Sequence, residues 1–306
     1  MKTKLIDYVD NGPIFITGHV NPDGDALGSA FALKLFLDSQ NIISDVDFDI
    51  TTKLPSNLNH LPYHLISDDL KEKYNTVFVF DCGNSSRLGK YEEVVLAAEN
   101  VVVIDHHVDP SFGDVQIIDP HAASTTQVLF RQFKDENIEI NEEMANCLLT
   151  GLITDTGRFQ YSNTTSEVFS IAAELLGNGA NLSKISENIY GSIEFNALTL
   201  QSKIIERIVL NEDLQFAHSI VFQNDYKDYK VEPEETDFLI DVVRLVKEST
   251  VALLIKEQED GSFKGSLRSR GDIDVQKIAS IFGGGGHVAA SGFSSNQSPE
   301  FILEKI

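Results

Sequence analysis

The sequence predicts an α/β fold, with a doubly wound and mainly parallel sheet in the first half and a smaller α/β domain in the second. Short runs that are apolar at every position alternate with helical stretches in the first half. Such runs suit strands buried on both faces, and their alternation with helices is typical of doubly wound sheets. At 306 residues, the chain is also too long for one ordinary core and suits two domains.

The elements of the first half follow directly from these patterns. Strands are predicted at Pro13–Thr17, Thr76–Phe80 and Val101–Ile104. Helices are predicted between and after them, at Ala26–Leu37, Tyr91–Ala98, Ser124–Phe133 and Glu142–Ile153. In sheets of this kind, ligands bind at the carboxyl ends of the strands.

The second half has a different composition and longer strand-like segments. We predict a first domain over residues 1–185, a helical linker over 186–205 and a second domain over 206–306. Two strand-like runs, Thr250–Lys256 and Gly261–Arg268, flank a turn with Asp-Gly at 260–261, which is a hairpin signal. The helix predicted at Asp274–Ile281 leads into a run of four glycines, 283–286.

The composition argues against several classes of protein. The 24 Lys and Arg against 47 Asp and Glu give a net charge of −23, which disfavours binding of long duplex nucleic acid. A small anionic substrate needs only a local positive site, such as metal ions. The two cysteines, Cys82 and Cys147, form neither a disulfide framework nor a CxxC zinc pattern. With no apolar leader and no membrane-length apolar run, we expect a cytoplasmic protein without membrane association.

A first chemical motif follows the first strand. The segment Gly18–Asp25 (GHVNPDGD) contains His19, Asp23 and Asp25, one imidazole and two carboxylates. Pro22 and Gly24 bend the backbone between them, so the side chains can point to neighbouring positions. Asp25 could instead be a simple N-cap of the next helix. A cap alone does not require the other two residues.

Three more polar positions complete the pattern. Asp81 follows the second strand, and Asp105-His106-His107 ends the third. Asp155 follows an apolar helical stretch. Taken singly, Asp81 and Asp155 could be cap or turn residues, and the histidines could belong to a surface turn. The position of Asp81 and of the Asp-His-His motif at strand ends favours a functional site.

Together these motifs predict a metal centre. The candidate ligands are His19, Asp23, Asp25, Asp81, His106 and Asp155. Mixed carboxylate and imidazole ligands suit Mn²⁺, with Mg²⁺, Co²⁺ or Zn²⁺ as alternatives. Six ligands exceed the need of one ion that also binds water and substrate, so we expect two ions about 3.5–4 Å apart. Such a pair is suited to hydrolysis of a phosphoester.

The order of these motifs resembles the DHH phosphoesterase superfamily. Arg268-Ser269-Arg270 and Gly283-Gly284-Gly285-Gly286-His287 are similar to its DHHA1 domain, so the resemblance covers nearly the whole chain. Within the superfamily, the chain most resembles the compact NrnA-type oligoribonucleases, which also dephosphorylate 3′-phosphoadenosine 5′-phosphate (pAp).

The resemblance implies a role for each site residue. His19 and Asp23 would hold one ion, Asp25, His106 and Asp155 the other, and Asp81 would bridge them. His107 would assist catalysis beside the scissile phosphate. In the DHHA1 domain, across an interdomain cleft, the substrate would be bound by Arg268, Ser269, Gly284, Gly285, Gly286 and His287.

The expected substrates are short single-stranded RNA oligomers, cleaved to nucleoside 5′-monophosphates, and small phosphorylated nucleotides such as pAp. A homodimer is implied by the resemblance alone. Four alternatives stay open: a soluble enzyme acting on pApA or cyclic di-AMP, a family II inorganic pyrophosphatase, a RecJ-like exonuclease, and a catalytically idle nucleotide sensor. The intact ligand set argues against the sensor.

Overall fold

The computed structural model describes residues 3–9, 12–51, 53–107, 111–271 and 273–306, and the His287 side chain lies outside this description. Contacts between Cα atoms divide the chain into two compact units, Met1–Ser192 and Ile193–Ile306. The division falls inside the segment 186–205, which the sequence suggested as a linker. Among the described residues, no helix has both the length and the hydropathy that crossing a membrane requires.

The first unit is built on a parallel sheet. In the described part of the unit it has five strands in the order β2-β1-β3-β4-β5: β1 (Ile14–Gly18), β2 (Ser44–Val46), β3 (Thr76–Phe80), β4 (Asn100–Asp105) and β5 (Val115–Ile118). Every residue of β1 and β3 is buried, as their uninterrupted apolar runs predict. The short strands β2 and β5 were not predicted, because neither carries such a run.

Helices pack on both faces of this sheet. They are α1 (Gly24–Ser39), α2 (Glu92–Leu96), α3 (Thr125–Asp135), α4 (Glu142–Asp155), α5 (Ser166–Gly177) and α6 (Leu182–Ser186), followed by a π-helical turn at Glu187–Gly191. One face contributes Ile14 and Ile16 to a core shared with α1, α3 and α4. The other contributes Phe15 and Val77 to a core shared with α2. The doubly wound fold predicted from the sequence is confirmed.

The second unit contains a mixed sheet. Its order is β10-β11-β9-β8-β7-β6, and its strands are β6 (Val209–Asn211), β7 (Phe216–Val221), β8 (Val251–Glu257), β9 (Phe263–Ser269), β10 (Gly285–His287) and β11 (Ala290–Ser295). The strands β7 and β8 are parallel, and the other neighbours are antiparallel. The predicted hairpin is confirmed as β8 and β9.

The helices of this unit are α7 (Phe195–Glu206), α8 (Gln223–Tyr229), α9 (Leu239–Arg244), α10 (Val275–Ser280) and α11 (Pro299–Lys305). The predicted helix at 274–281 is α10, and the Asp274 side chain caps it. Part of the glycine run that follows α10 forms a strand. Gly285 and Gly286 belong to β10, since they pair with β11.

Candidate metal centre

The sheet order of the first unit brings three strand ends together. His19 follows β1, Asp81 follows β3, and His106 and His107 follow β4. These three strands are neighbours in the parallel sheet, so their carboxyl ends lie side by side. The order 2-1-3-4-5 reverses between β1 and β3, where open α/β sheets form their ligand-binding crevice. His19 and Asp81 flank this crevice.

The two aspartates that follow β1 make different contacts. Asp23 is the N-cap of α1, and its Oδ1 accepts hydrogen bonds from the amides of Asp25 (3.0 Å) and Ala26 (3.1 Å). The alternative that Asp25 is the cap is therefore wrong. Asp25 lies in the first turn of α1 and is fully buried.

The carboxylate of Asp25 is held by the beginning of α3. Its Oδ2 accepts the amide of Thr125 at 2.6 Å, and its Oδ1 accepts that of Thr126 at 2.9 Å. Negative charge is stabilised at a helix N-terminus, where the first amides have no partner within the helix. Gly151 leaves room for this carboxylate, because a Cβ there would lie 2.5 Å from Asp25 Oδ1.

Asp81 stands between two histidines. Its Oδ2 is 3.6 Å from His19 Nε2, and its Oδ1 is 3.6 Å from His106 Nε2. Its backbone φ is +54°, in the left-handed region, which aspartate tolerates better than most residues. Each carboxylate oxygen thus faces a different group of donors, as a bridging ligand requires.

The two histidines that face Asp81 are oriented alike. The Nδ1 of His19 donates to the carbonyl of Val20 (2.9 Å), and the Nδ1 of His106 donates to that of Ala122 (3.3 Å). In both rings Nε2 is therefore the atom directed at the carboxylates. An Nδ1–H bonded to a carbonyl, with Nε2 toward the ion, is the usual arrangement of a metal-ligating histidine.

His107 is oriented differently from the other two histidines. Its Nδ1 lies 2.7 Å from Asp105 Oδ1 and 3.4 Å from Asp81 Oδ1. The same oxygen of Asp105 accepts the amides of His106 (2.7 Å) and His107 (3.0 Å). Asp105 is fully buried. Sequence reasoning gave it no separate role, and its signal was only its position in the Asp-His-His motif.

Asp155 is the last residue of α4, and its Oδ2 is 3.2 Å from His106 Nε2. A carboxylate at a helix C-terminus is unfavourable, since that end carries partial negative charge. A nearby cation offsets this cost. His106 Nε2 is also 3.9 Å from Asp25 Oδ2, so Asp25, His106 and Asp155 converge on one point.

The charges in this cluster shift several pKa values. Burial and the charges of Asp155 and Asp81 raise the pKa of Asp25 well above its ordinary value. Burial raises the pKa of Asp155 to about 6. Burial would lower the pKa of His106, but the hydrogen bond to Asp155 and the neighbouring carboxylates raise it to about 11. Without a bound ion, the cluster therefore binds protons. Its excess negative charge favours the binding of divalent cations in their place.

The donor set fits two ions. His19, Asp23 and Asp81 form one group, and Asp25, His106 and Asp155 form another, with donor atoms no more than 4.8 Å apart within each. Ligands about 2.1 Å from one ion are roughly 3–4 Å apart, which matches the separations of 3.2–3.9 Å found here. Asp23, with a 56% exposed side chain, lies on the solvent side.

Comparisons with known proteins agree with this geometry. The sequence model of the DHH family, N-terminal domain, matches residues 13–152, and that of the DHHA1 domain matches residues 213–306. The "Bifunctional oligoribonuclease and PAP phosphatase NrnA" of Thermus thermophilus is 33% identical over 96% of this chain and 89% of its own length. The chain belongs to the DHH family. The Bacillus subtilis protein of the same description is 27% identical, over 96% of this chain and 93% of its own.

A solved structure has a similar fold over nearly the full chain. It is an exopolyphosphatase-related protein from Bacteroides fragilis, with a TM-score of 0.90 and 26% identity over 98% of this chain and 92% of that one. Members of the DHH family are metal-dependent phosphoesterases, and the cluster described above contains groups that could hold metal ions.

In the DHHA1 domain, the predicted substrate-binding residues occupy different places. Arg268 lies on β9, two and four residues from Ser266 and Lys264, so all three side chains share one face of the sheet. Ser269 points to the opposite face and donates its hydroxyl to Ile273 O at 2.6 Å. The structure therefore does not bring Arg268 and Ser269 together. Lys264 was not predicted as a candidate substrate-binding residue, because a single lysine in a strand does not indicate a function.

The glycines of the run 283–286 differ in the space that is available for a side chain. A Cβ at Gly284 would lie 2.2 Å from Gly292 O, and one at Gly286, where φ is +134°, would lie 2.7 Å from Ala290 O. Both are required by the close approach of β10 and β11. A Cβ at Gly285 would meet nothing within 4 Å. The same holds for Gly283, so these two positions are the ones where the backbone of the run is open on its side-chain side.

A cavity of about 340 Å³ adjoins this run. It is lined by Lys264, Phe282, Gly283, Gly284, Gly292, Phe293 and Ser294. Lys264 supplies a cation that is suited to phosphate. The amides of Gly283 and Gly284 donate to the carbonyls of Ser280 and Ala279, at 3.0 Å each.

Proposed function

We propose that this protein is a two-metal phosphoesterase that hydrolyses very short RNA to nucleoside 5′-monophosphates and pAp to AMP. The observation that carries the proposal is the position of Asp81, whose two oxygens face His19 and His106 at equal distances of 3.6 Å. A carboxylate between two groups of ligands is the arrangement that holds two ions close enough to contact one phosphoryl group.

Each ligand has a definite place in this proposal. His19 and Asp23 would hold one ion, Asp25, His106 and Asp155 would hold the other, and Asp81 would be the ligand they share. We propose Mn²⁺, since the set mixes imidazole with carboxylate, and Mg²⁺ or Co²⁺ could replace it. When bound, the ions would polarise the phosphoryl group and lower the pKa of water so that it can attack near neutral pH.

His107 supplies the proton for the leaving group. Its Nδ1–H donates to Asp105, so Nε2 lies on the edge of the ring that faces away from this carboxylate. Burial would lower the pKa of His107, but hydrogen bonds to Asp105 and Asp81 raise it to about 10. The imidazolium that these two carboxylates favour would protonate the departing oxygen.

The proposed substrates are based on the activities of a relative and on the charge of this chain. Oligoribonuclease and PAP phosphatase activities are both part of the printed description of the Thermus thermophilus protein. A net charge of −23 disfavours long nucleic acid, whereas Arg268 and Lys264 offer local positive charge to a short substrate. Gly284, Gly285, Gly286 and His287 would complete the phosphate-binding part of the DHHA1 domain, with Ser269 supporting its backbone.

The test is a product time course with metal-stripped enzyme, with and without added Mn²⁺. The substrates are pAp, pApA, a 5-mer RNA, a 20-mer RNA and pyrophosphate, assayed in parallel. We expect rapid conversion of pAp to AMP and of the 5-mer to nucleoside 5′-monophosphates, only with Mn²⁺. The 20-mer and pyrophosphate should react slowly.

Other outcomes identify the alternatives. Preference for pApA would indicate the dinucleotide phosphodiesterase, fast cleavage of the 20-mer a RecJ-like exonuclease, and fast cleavage of pyrophosphate a pyrophosphatase. Nucleotide binding without turnover would indicate the idle sensor. Full activity in a preparation that elemental analysis shows to be metal-free would refute the two-metal proposal. The homodimer and the cytoplasmic location stay predictions, testable by light scattering and cell fractionation.

A further inference from the structure

The beginning of α3 contacts two of the carboxylates assigned to metal binding. Ser124 caps this helix, since its Oγ accepts the amide of Gln127 at 3.0 Å. The amides of Thr125 and Thr126 are thereby left to hold the carboxylate of Asp25. Because Asp25 has no exposed surface, its orientation is set by these two amides.

Thr125 makes a second contact, through its side chain. Its Oγ1 donates a hydrogen bond to Asp81 Oδ1 at 3.1 Å, and the residue is fully buried. Thr125 therefore contacts Asp25 with its backbone and Asp81 with its hydroxyl. Sequence analysis found no feature at this position beyond a helix start.

The contact matters because an aspartate side chain has a weak preference for its terminal torsion. A bridging carboxylate must present one oxygen to each ion, so its rotation has to be restricted. The hydroxyl of Thr125 fixes the oxygen on the His106 side, while the other oxygen faces His19. The same residue ties this orientation to the position of Asp25.

We propose that Thr125 is a positioning residue that holds Asp81 in the bridging orientation, so that the two metal sites fill as a pair. This inference rests on the proposed two-metal function. Groups that orient metal ligands typically change metal affinity by about 10- to 100-fold when removed. We expect a loss of that size for the more weakly held ion.

The test compares isosteric substitutions of two buried threonines. Thr125→Val removes the hydroxyl and keeps the backbone amide that holds Asp25. Thr76→Val is the matched control, since Thr76 is fully buried in β3 and its hydroxyl has no hydrogen-bond partner among the described residues. Thr125→Ser keeps the hydroxyl and should restore the wild-type behaviour.

Three readouts separate positioning from folding. Circular dichroism and thermal unfolding of the metal-free variants measure the fold. Titration with Mn²⁺ gives the affinity of each site, and electron paramagnetic resonance detects the exchange coupling of two bridged Mn²⁺ ions. In Thr125→Val we expect about 10- to 100-fold weaker binding of the second ion and loss of the coupled spectrum, whereas Thr76→Val keeps both.

The inference is overturned if Thr125→Val binds two coupled ions as tightly as Thr76→Val does. If Thr125→Val does not fold, Thr125→Ala replaces it in the same comparison, because it removes the hydroxyl without placing a methyl group against Asp81. A wild-type protein that binds no metal pair, or binds it and hydrolyses none of the substrates, would instead refute the proposed function.

Discussion

The substitution Asp105→Asn tests whether Asp105 and His107 act together as the acid. In the native chain, His107 Nδ1 is 2.7 Å from Asp105 Oδ1. The asparagine oxygen can still accept the amides of His106 and His107, so the backbone should stay in place. What is lost is the negative charge that supports the imidazolium. A hydrogen bond between charged groups contributes about 1.5–3 kcal/mol, or about 10- to 150-fold in kcat.

The assay is kcat on a series of phosphodiesters with leaving groups of increasing pKa. Alkoxide leaving groups need a proton, so the loss should approach the upper figure for RNA and be small for p-nitrophenolate. The alkaline limb of the kcat profile should also move to lower pH, because His107 without the carboxylate loses its proton at lower pH. Metal content, measured on each variant, should not change. An equal loss for every leaving group, with both ions bound, would show that Asp105 does not act through proton transfer.

Four further predictions address the site and the fold. Asp81→Ala should lose at least ~10³-fold in kcat with the fold intact, and a loss below about tenfold would make Asp81 a turn residue only. Gly285→Ala should lower kcat/KM for pAp by about tenfold, or about 1.4 kcal/mol, but leave bis-p-nitrophenyl phosphate unaffected; equal losses would contradict substrate binding there. Gly28→Ala would place a Cβ 2.4 Å from a carbonyl oxygen of α4, so denaturant unfolding should show about 1–2 kcal/mol less stability, whereas Gly177→Ala, with nothing within 4 Å, should not destabilise. Burial lowers the pKa of His60 from 6.5 to about 4, so the folded state disfavours its protonation and the free energy of unfolding should fall as pH drops from about 6.5 to about 4. The His60→Gln variant should lose about 1 kcal/mol less free energy of unfolding between pH 7 and pH 5 than the native chain does. The same pH dependence of stability in both proteins would refute this.

The strands that build the site could be predicted from the sequence for a simple physical reason. A strand buried on both faces must be mostly apolar, as β1 and β3 are, with one threonine in each. A polar residue directly after such a run then lies at the end of the sheet. This is why His19 and Asp81 could be recognised without a structure. The edge strands β2 and β5 are short and partly exposed, so their sequences carry no comparable pattern.

The sequence alone determined which side chains are available for the metal centre, because the local motifs carry unusual concentrations of carboxylates and imidazoles. Only the tertiary structure decided what each one does. Asp23 and Asp25 are two residues apart, yet one caps α1 while the other is held by amides of α3, about a hundred residues along the chain. His106 and His107 are adjacent, yet one faces three carboxylates and the other is held by Asp105. Hydrogen bonds to distant segments set these orientations, and no local pattern records which segment will arrive there.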